Sequence, residues 1–343
     1  MHTQDILKKS CDAEALSKEE LIHLLGRRED SVETYLVMSE ANRISKELTD
    51  GKAEVHAQFA LNLAPCTCNC LFCSFAQNNG IFSAEIRLTP EQAVAYARQL
   101  EQSGANALFI MSTAQYPFEL FMEMIREIKP HLKPETKLIA NVGDQSLTNA
   151  KRLKDAGFVG VYHALRLREG VDTTLSPERR KKSIRNFQEA GLSVGTCVEP
   201  VGPEHTPEEL ADMILFTASF NPSYSGAARR IAIPGTEMEK RGMISELRMA
   251  QIVAITRLAM PLSVPGNCTH EPCTLGALAG ANLFWAELGA NPRDVEARTE
   301  DGRGDTVEHC RRLYHEAGWE VWDRQTRYCA QPETAASQRD APQ

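Results

Sequence analysis

Apolar and polar positions follow two different periods along this chain. The first fifty or so residues have the spacing of amphipathic helices, and the segment from Ser17 opens with a Ser cap and a Glu three residues later. From His56 onward, short apolar runs alternate with amphipathic helical segments. These runs predict eight strands, at residues 56–63, 106–112, 137–142, 158–165, 192–200, 226–233, 260–264 and 281–287.

The segments between the strands carry helix start and stop signals. Several begin with Ser or Thr followed by Pro-Glu, and several end at Gly. Eight strands that alternate with helices predict a parallel sheet closed into a (β/α)8 barrel of the TIM type. We therefore expect an N-terminal helical extension over residues 1–55, a barrel over residues 56–329 and a polar, disordered tail over residues 330–343.

Unusually polar segments follow several of the predicted strands. In a barrel of this type the chemistry lies on the loops after the strands, so we expect these segments to meet a cysteine-rich loop at one mouth. The segments are GDQS (143–146), RLREG (166–170), EPVGPEHT (199–206) and GNCTHEPC (266–273).

Composition excludes several classes of partner. The 343 residues are 42% apolar and 24% charged, as in a globular protein with a sizeable core. A net charge of −8 argues against nucleic acid or an anionic membrane as the main partner. The first ten residues lack the apolar stretch of a signal peptide, and no apolar run is long enough to span a bilayer. We expect a cytoplasmic protein.

Four of the ten cysteines lie within eight residues, at Cys66, Cys68, Cys70 and Cys73. In a reducing compartment, clustered thiols indicate metal binding or catalysis. Cys66, Cys70 and Cys73 have C-x3-C-x2-C spacing, and three thiolates can anchor three irons of a 4Fe-4S cluster while the fourth iron stays open to another ligand. The alternatives are a zinc knot, which usually takes two separated C-x2-C pairs, or an electron-transfer cluster with Cys68 as fourth ligand.

This motif after the first strand of a predicted barrel resembles the radical S-adenosylmethionine (SAM) superfamily. The closest similarity is to its biotin synthase group, which includes methylornithine synthase and the FeFe-hydrogenase maturase, over roughly residues 15–325. The resemblance implies that SAM chelates the open iron and is cleaved reductively to a 5′-deoxyadenosyl radical. It also implies anaerobic chemistry, a reduced flavodoxin- or ferredoxin-type electron donor, and no ligand role for Cys68.

The resemblance also suggests which residues bind SAM. Phe72 matches the position that packs near the adenine, and Arg180 falls where the family carries the arginine that pairs with the SAM carboxylate. The alternative for Arg180 is a solvated helix charge, since its neighbours are basic. Arg166 and Glu169 match a segment that contacts the ribose and amino group, and Glu204 lies near a segment beside the adenine.

A second iron–sulfur cluster is a further expectation. Biotin synthase carries cysteines on strands two, three and five, but this chain has Met111 and Asn141 near the first two positions. The C-x4-C pair Cys268 and Cys273 resembles one arm of the auxiliary cluster of lipoyl synthases and is the best candidate. The third ligand would come from Cys68, Cys197, Cys310 or Cys329. The alternative for Cys310 and Cys329 is that they are ordinary buried thiols.

Three residues are candidates for substrate binding. His270 could orient a second metal site or bind substrate, although a histidine in a polar loop is often a plain surface residue. Arg229 and Arg230 could bind a carboxylate, and strand alternation lets one of them face inward. We expect either sulfur insertion into a small molecule or protein-bound acyl chain, which the surplus cysteines favour, or rearrangement or fragmentation of an amino acid or cofactor precursor. A non-catalytic iron–sulfur carrier is the third reading.

Overall fold

The computed structural model describes residues 2–12, 14–63 and 65–329, so the tail expected at residues 330–343 lies outside the described residues. Strands and helices alternate from residue 52 onward. The strands are β1 Lys52–Ala60, β2 Asn62–Leu63, β3 Ile86–Arg87, β4 Leu108–Met111, β5 Leu138–Asn141, β6 Phe158–Tyr162, β7 Ser193–Gly195, β8 Val198–Val201, β9 Tyr224–Arg229, β10 Gly266–Cys268, β11 Leu283–Leu288 and β12 Glu320–Val321. The α-helices are α1 Thr3–Cys11, α2 Lys18–Leu25, α3 Val32–Leu48, α4 Pro90–Gln102, α5 Phe118–Ile128, α6 Leu147–Asp155, α7 Pro177–Glu189, α8 Pro207–Ser219, α9 Glu246–Ala259, α10 Thr274–Leu278 and α11 Val307–Glu316.

Eight parallel strands close into a barrel, which confirms the predicted (β/α)8 fold. Their order is β1, β4, β5, β6, β7, β9, β10 and β11, and β11 pairs with β1 to complete the circle. Gln58 on β1 lies opposite Phe109 on β4 and Glu287 on β11, so the register is continuous where the barrel closes. β8 continues the fifth strand after a break at residues 196–197 and pairs with β9.

Two strand boundaries differ from expectation. The first strand begins at Lys52 and not at His56, inside the segment assigned to the helical extension. The seventh strand is β10, and the expected strand at residues 260–264 is wrong. Met260 and Val264 are buried, but they belong to the turn that follows α9, where carbonyl groups accept hydrogen bonds from the buried Arg257. The apolar run therefore marks burial without strand pairing.

The helices begin where the start signals predict. Thr89, Ser176 and Thr206 cap α4, α7 and α8, each with Pro in the first turn, and their side-chain oxygens accept hydrogen bonds from backbone N–H groups. α1, α2 and α3 form the N-terminal extension, which packs on the outer helix ring through contacts of α2 with α8 and of α3 with α9. No helix in the described ranges is both long and apolar enough to traverse a bilayer.

The amino-terminal end of the barrel is closed by buried side chains. His56 Nε2 lies 3.0 Å from Glu54 and 3.1 Å from the hydroxyl of Thr326, which belongs to the C-terminal segment. The rings of Phe109, Tyr224, Trp285 and Tyr328 pack around this histidine. The fold therefore leaves the opposite, carboxyl end of the strands for binding and chemistry.

Candidate active site

The cysteine-rich loop lies between β2 and β3, whose antiparallel pairing brings the two ends of the loop together. The loop folds on itself, since the Cys66 N–H donates to the Phe75 carbonyl and the Cys73 N–H to the Cys70 carbonyl. Thr174 fastens it to the segment after β6 by donating hydrogen bonds from its N–H and hydroxyl to the Cys68 carbonyl. The thiols are therefore presented by a braced loop over the barrel mouth.

A cavity of about 210 Å³ opens at the carboxyl end of the barrel, below this loop. Cys66, Cys70 and Cys73 line it together with Cys68. The opposite walls come from loops after other strands, so the sequence-predicted convergence at one mouth is seen in the structure. Arginine side chains that face the cavity are Arg166, Arg180, Arg229, Arg230 and Arg293.

The four thiols of the loop differ in their surroundings. A hydrogen bond from Cys68 lowers the pKa of Cys66 to about 6, while burial raises the pKa of Cys70 to about 11 and of Cys73 to about 12. The hydrogen bond from Cys68 therefore favours the thiolate form of Cys66. The positive charge of Arg166 opposes the effect of burial at Cys70 and Cys73.

The thiol set fits a polynuclear cluster better than one zinc ion. Among the described residues, the ligand atoms of Cys66, Cys70 and Cys73 do not form a group within 4.8 Å of one another. A tetrahedral zinc site, with Zn–S bonds of about 2.3 Å, brings its sulfur atoms to roughly 4 Å. Three thiols spread around one cavity wall could each hold a different iron of a 4Fe-4S cluster.

Arg180 lies at the centre of a buried network and is not a solvated helix charge. Its side chain is 4% exposed, and Nη1 lies 3.0 Å from His163 Nε2, which in turn lies 3.0 Å from Asp144. Burial, followed by the charge of Arg180, lowers the pKa of His163 to about 4, so the imidazole is neutral. Arg180 Nε has no hydrogen-bond partner among the described residues, which leaves a buried donor for a ligand in the cavity.

Arg166 and Glu169 have different roles in the loop after β6. Arg166 lines the cavity, and its nearest ion pair is at 3.8 Å, between Nε and Glu199. Glu169 is buried beneath the loop, where it accepts hydrogen bonds from the Arg166 N–H and the Thr173 hydroxyl. Glu169 therefore does not line the cavity and supports its neighbours from behind.

Phe72 and Glu204 lie on different sides of the cavity wall. Phe72 lines the cavity next to the thiols, whereas Glu204 lies outside its wall and forms ion pairs with Arg230 and Arg241. This places Glu204 as the counter-ion of Arg230 and not as part of the cavity surface.

Arg229 and Arg230 both line the cavity, so the expectation that only one faces inward is wrong. The alternation of side chains ends with β9 at Arg229, and Arg230 lies beyond the strand. Each guanidinium already has an acidic partner, Glu271 at 2.5 Å for Arg229 and Glu204 for Arg230.

The five cysteines proposed for a second cluster do not come together. Cys197 and Cys268 do meet, and His270 joins them, with ligand atoms all within 4.8 Å of one another. Cys273, the expected partner of Cys268, is instead the N-cap of α10, where its sulfur accepts a hydrogen bond from the Gly276 N–H. The pairing expected from the C-x4-C spacing is therefore wrong.

The other two cysteines are ordinary buried thiols in this structure. Cys310 lies on α11 and donates to the Trp285 carbonyl at 3.7 Å, and Cys329 packs near Gly160, close to the start of β7. Among the described residues, neither belongs to a group of metal-ligating side chains.

Gln58 and Tyr162 line the cavity and were not found from the sequence. Gln58 on β1 donates to Glu287 on β11, and Glu287 also pairs with Arg293, which lines the cavity. The signal was present, because a glutamine and a glutamate within otherwise apolar barrel strands need buried partners. Tyr162 at the end of β6 is a further lining residue whose buried hydroxyl has no partner among the described residues.

Comparisons with known proteins agree with this arrangement. Residues 65–217 match the family model of the Radical SAM superfamily, which begins at the cysteine-rich loop. Residues 65–217 therefore form a radical SAM domain, the domain of a class of enzymes that use a 4Fe-4S cluster and SAM.

Within that class the chain is similar to the biotin synthase group. It is 27% identical to biotin synthase 1 of Corynebacterium diphtheriae over 292 residues, covering 81% of each chain. It is 26% identical to 7,8-didemethyl-8-hydroxy-5-deazariboflavin synthase of Methanobrevibacter smithii over 297 residues, covering 77% of this chain and 86% of the relative. These identities support the group without deciding the reaction.

Two solved structures share the fold. Methylornithine synthase (PylB) superposes with a TM-score of 0.78 and 16% identity, covering 92% of this chain and 97% of the other. The FeFe-hydrogenase maturase HydG from Carboxydothermus hydrogenoformans superposes with a TM-score of 0.78 and 18% identity, covering 96% and 80%. The N-terminal helices and the barrel are thus part of a known architecture.

Proposed function

We propose that Cys66, Cys70 and Cys73 hold the 4Fe-4S cluster and that the enzyme abstracts hydrogen from a small, polar, anionic substrate. When bound, the cluster supplies the electron that splits SAM into methionine and a 5′-deoxyadenosyl radical. The observation that carries the proposal is that these three thiols and five arginine side chains line one cavity at the barrel mouth. The cluster ligands, SAM and the substrate would then all lie in the same cavity.

Arg166 and Arg180 are suited to hold the carboxylate of SAM. The Nε of Arg180 is buried without a hydrogen bond, and its carboxylate neighbour Glu169 lies 3.8 Å away. Arg166 likewise has only a distant ion pair, with Glu199. A guanidinium matches a carboxylate through two parallel hydrogen bonds, which orients as well as attracts the ligand. Phe72 lies on the same wall as the thiols and supplies an apolar surface for the adenine. Glu169 and Glu204 would act indirectly, through the arginines and loops that they contact.

The substrate side of the cavity is polar. Arg229 and Arg293 are held by Glu271 and Glu287, and the Tyr162 hydroxyl is buried without a partner. A substrate with a hydrogen-bonding group would satisfy the Tyr162 hydroxyl, whereas an unsubstituted acyl chain would leave it unpaired at a cost of about 1–3 kcal/mol. The lining therefore favours an amino acid or a cofactor precursor over a fatty-acid-like chain.

This chemistry favours rearrangement or fragmentation over sulfur insertion. A sulfur-donating cluster needs enough ligands in one place, and outside the first motif the described residues gather only one group that contains thiols, Cys197 and Cys268 with His270. Sulfur insertion, which the number of cysteines favoured, would have to proceed without the expected C-x4-C pair. A reduced flavodoxin or ferredoxin remains our proposed electron donor.

The radical chemistry is tested by anaerobic reconstitution with iron and sulfide, followed by reductant and SAM. We expect 5′-deoxyadenosine from the wild-type chain and none from Cys70→Ala, with iron content reduced in parallel. Cys310→Ser is the matched control, because Cys310 is a buried thiol far from the motif in sequence and outside the cavity lining. Production of 5′-deoxyadenosine by Cys70→Ala at the wild-type rate would refute the ligand assignment.

The reaction class is tested with labelled sulfide. A chain reconstituted with ³⁴S-sulfide is incubated with deuterated amino acids and other small carboxylates, and deuterium in 5′-deoxyadenosine identifies the substrate. We expect a product without the heavy sulfur isotope. A product that carries ³⁴S would overturn the proposal in favour of sulfur insertion.

A further inference from the structure

A second group of metal-ligating side chains lies below the cavity and is separate from the cysteine-rich loop. Cys197 follows β7, Cys268 ends β10, and His270 lies two residues further on. The two sulfur atoms and one ring nitrogen of His270 all lie within 4.8 Å of one another. Both thiols are fully buried, and the imidazole is 12% exposed and lines the cavity.

The barrel brings these residues together across the strand that separates them. β9 lies between β7 and β10, and Gly226 on β9 is paired with Cys268. Cys197 is level with the same glycine, because Gly195 pairs with Tyr224 and Val198 with Ala227. A Cβ on Gly226 would lie 2.5 Å from the Cys268 nitrogen, so this position excludes any side chain between the two thiols.

The spacing of the ligand atoms suits one ion. Zinc binds sulfur at about 2.3 Å and nitrogen at about 2.0–2.1 Å, so its ligand atoms come to lie roughly 3–4 Å apart. Small side-chain movements would close this group around a single ion. The first motif differs, since its three sulfur atoms are not gathered within the same limit.

The histidine provides an independent indication of a ligand. Its Nε2 is buried and has no hydrogen-bond partner among the described residues, and its Nδ1 lies 3.8 Å from Glu199. Trp285 and Tyr162 hold the ring, with centroids 4.6 and 5.2 Å away. Metal-bound histidines usually donate their other ring N–H to a carboxylate, and Glu199 is the carboxylate positioned to accept it after a small shift of either side chain.

We propose that Cys197, Cys268 and His270 bind one divalent cation of the zinc class at the floor of the cavity. Two thiolates and an imidazole are a ligand set of catalytic zinc sites, in which the fourth position takes water or a substrate atom. His270 faces the cavity, so that fourth position opens toward the bound substrate. The ion would hold a substrate oxygen, nitrogen or sulfur atom, and this role is independent of the cluster that forms the radical.

The test uses cobalt(II) as a spectroscopic probe for this site. The full chain with Cys66, Cys70 and Cys73 all changed to Ala removes the first motif, and iron-free wild type is the parallel sample in case the triple variant folds poorly. We expect the triple variant to bind one cobalt ion per chain, and iron-free wild type at least one, with sulfur-to-cobalt charge-transfer bands and the visible bands of tetrahedral geometry. Zinc should displace the cobalt and abolish the bands.

Single substitutions then assign the ligands. Made in the triple variant, Cys268→Ser should lose at least half of the charge-transfer intensity, because Cys197 is then the one remaining thiolate of the site. His270→Gln, at the less buried position, should weaken cobalt binding by at least 10-fold. Glu199→Gln should weaken it by about 10- to 100-fold through the histidine. Cys273→Ser and Cys310→Ser are matched buried-thiol controls and should bind cobalt as the wild type does.

Several results would overturn this proposal. These are the absence of cobalt bands in both parent samples, or unchanged bands in Cys268→Ser and His270→Gln. Retention of iron with inorganic sulfide at this site in the triple variant would replace the single ion by a second cluster. Because the triple variant lacks the first motif, the outcomes measured on it are independent of whether the radical chemistry is correct.

Discussion

Gly226 is the position where the barrel backbone leaves least room for change. Its φ is +148°, which L side chains rarely adopt, and an added Cβ would lie 2.5 Å from the nitrogen and 2.7 Å from the carbonyl carbon of Cys268. These are backbone atoms of the neighbouring strand, so they cannot move aside as a flexible side chain would. Gly226→Ala must therefore separate β9 from β10 or bend one of them.

The expected cost has two parts. The unfavourable backbone conformation costs about 1–3 kcal/mol. Overpacking in a dense interior costs a further 1–3 kcal/mol or so. Together these lower the free energy of unfolding by about 2–6 kcal/mol, a large part of the roughly 5–15 kcal/mol that stabilises a typical protein.

The assay is urea unfolding of iron-free protein, followed by circular dichroism. Gly51→Ala is the matched control, because Gly51 has a φ of +70° but nothing within 4 Å of the added Cβ, so it should lose only about 1–2 kcal/mol. If Gly226→Ala is destabilised no more than Gly51→Ala, the close approach of β9 and β10 is not as the structure has it.

Two further predictions concern the cavity and its buried network. Because burial lowers the pKa of His163 to about 4 from 6.5, the unfolded chain binds a proton in this window that the folded chain does not. Stability is therefore lost as the pH falls from 6.5 to 4, and wild type should lose about 3 kcal/mol more than His163→Asn over that range in urea unfolding; parallel pH profiles would contradict this. Arg166→Met should weaken SAM binding about 10- to 150-fold in equilibrium dialysis, the equivalent of one charge-assisted contact of about 1.5–3 kcal/mol. Arg168→Met, whose guanidinium pairs with Glu209 outside the cavity lining, should bind SAM normally, and equal losses in both variants would rule out a specific role for Arg166.

Local pattern was sufficient for the barrel and for the first cysteine motif. Strand and helix periods depend on neighbours within a few residues, and the cap at Thr89 and its following Pro are read directly from adjacent letters. The motif of Cys66, Cys70 and Cys73 lies within a single loop, so its spacing describes it almost completely. The error at residues 260–264 has the same origin, because an apolar run reports burial and not hydrogen-bond pairing.

Local sequence pattern could not predict the ion pairs or the directions in which the side chains point. Glu169 and Glu204 lie in loops near the mouth, but one is turned beneath its loop and the other is held outside the cavity by Arg230. Both residues carry the same carboxylate group. The positions of their hydrogen-bond donors and positively charged partners decide which way each side chain points.

The sequence by itself determined that a barrel would carry three thiols over its mouth, because both features depend on short-range order. Only the tertiary structure decided which other cysteines are neighbours. Cys273 is five residues from Cys268 along the chain, but its sulfur caps α10. Cys197 lies after a different strand, and closure of the barrel brings it next to Cys268. Sequence spacing predicts contacts within one helix, strand or loop. Contacts between residues on different strands depend on the order and register in which the strands close into a barrel.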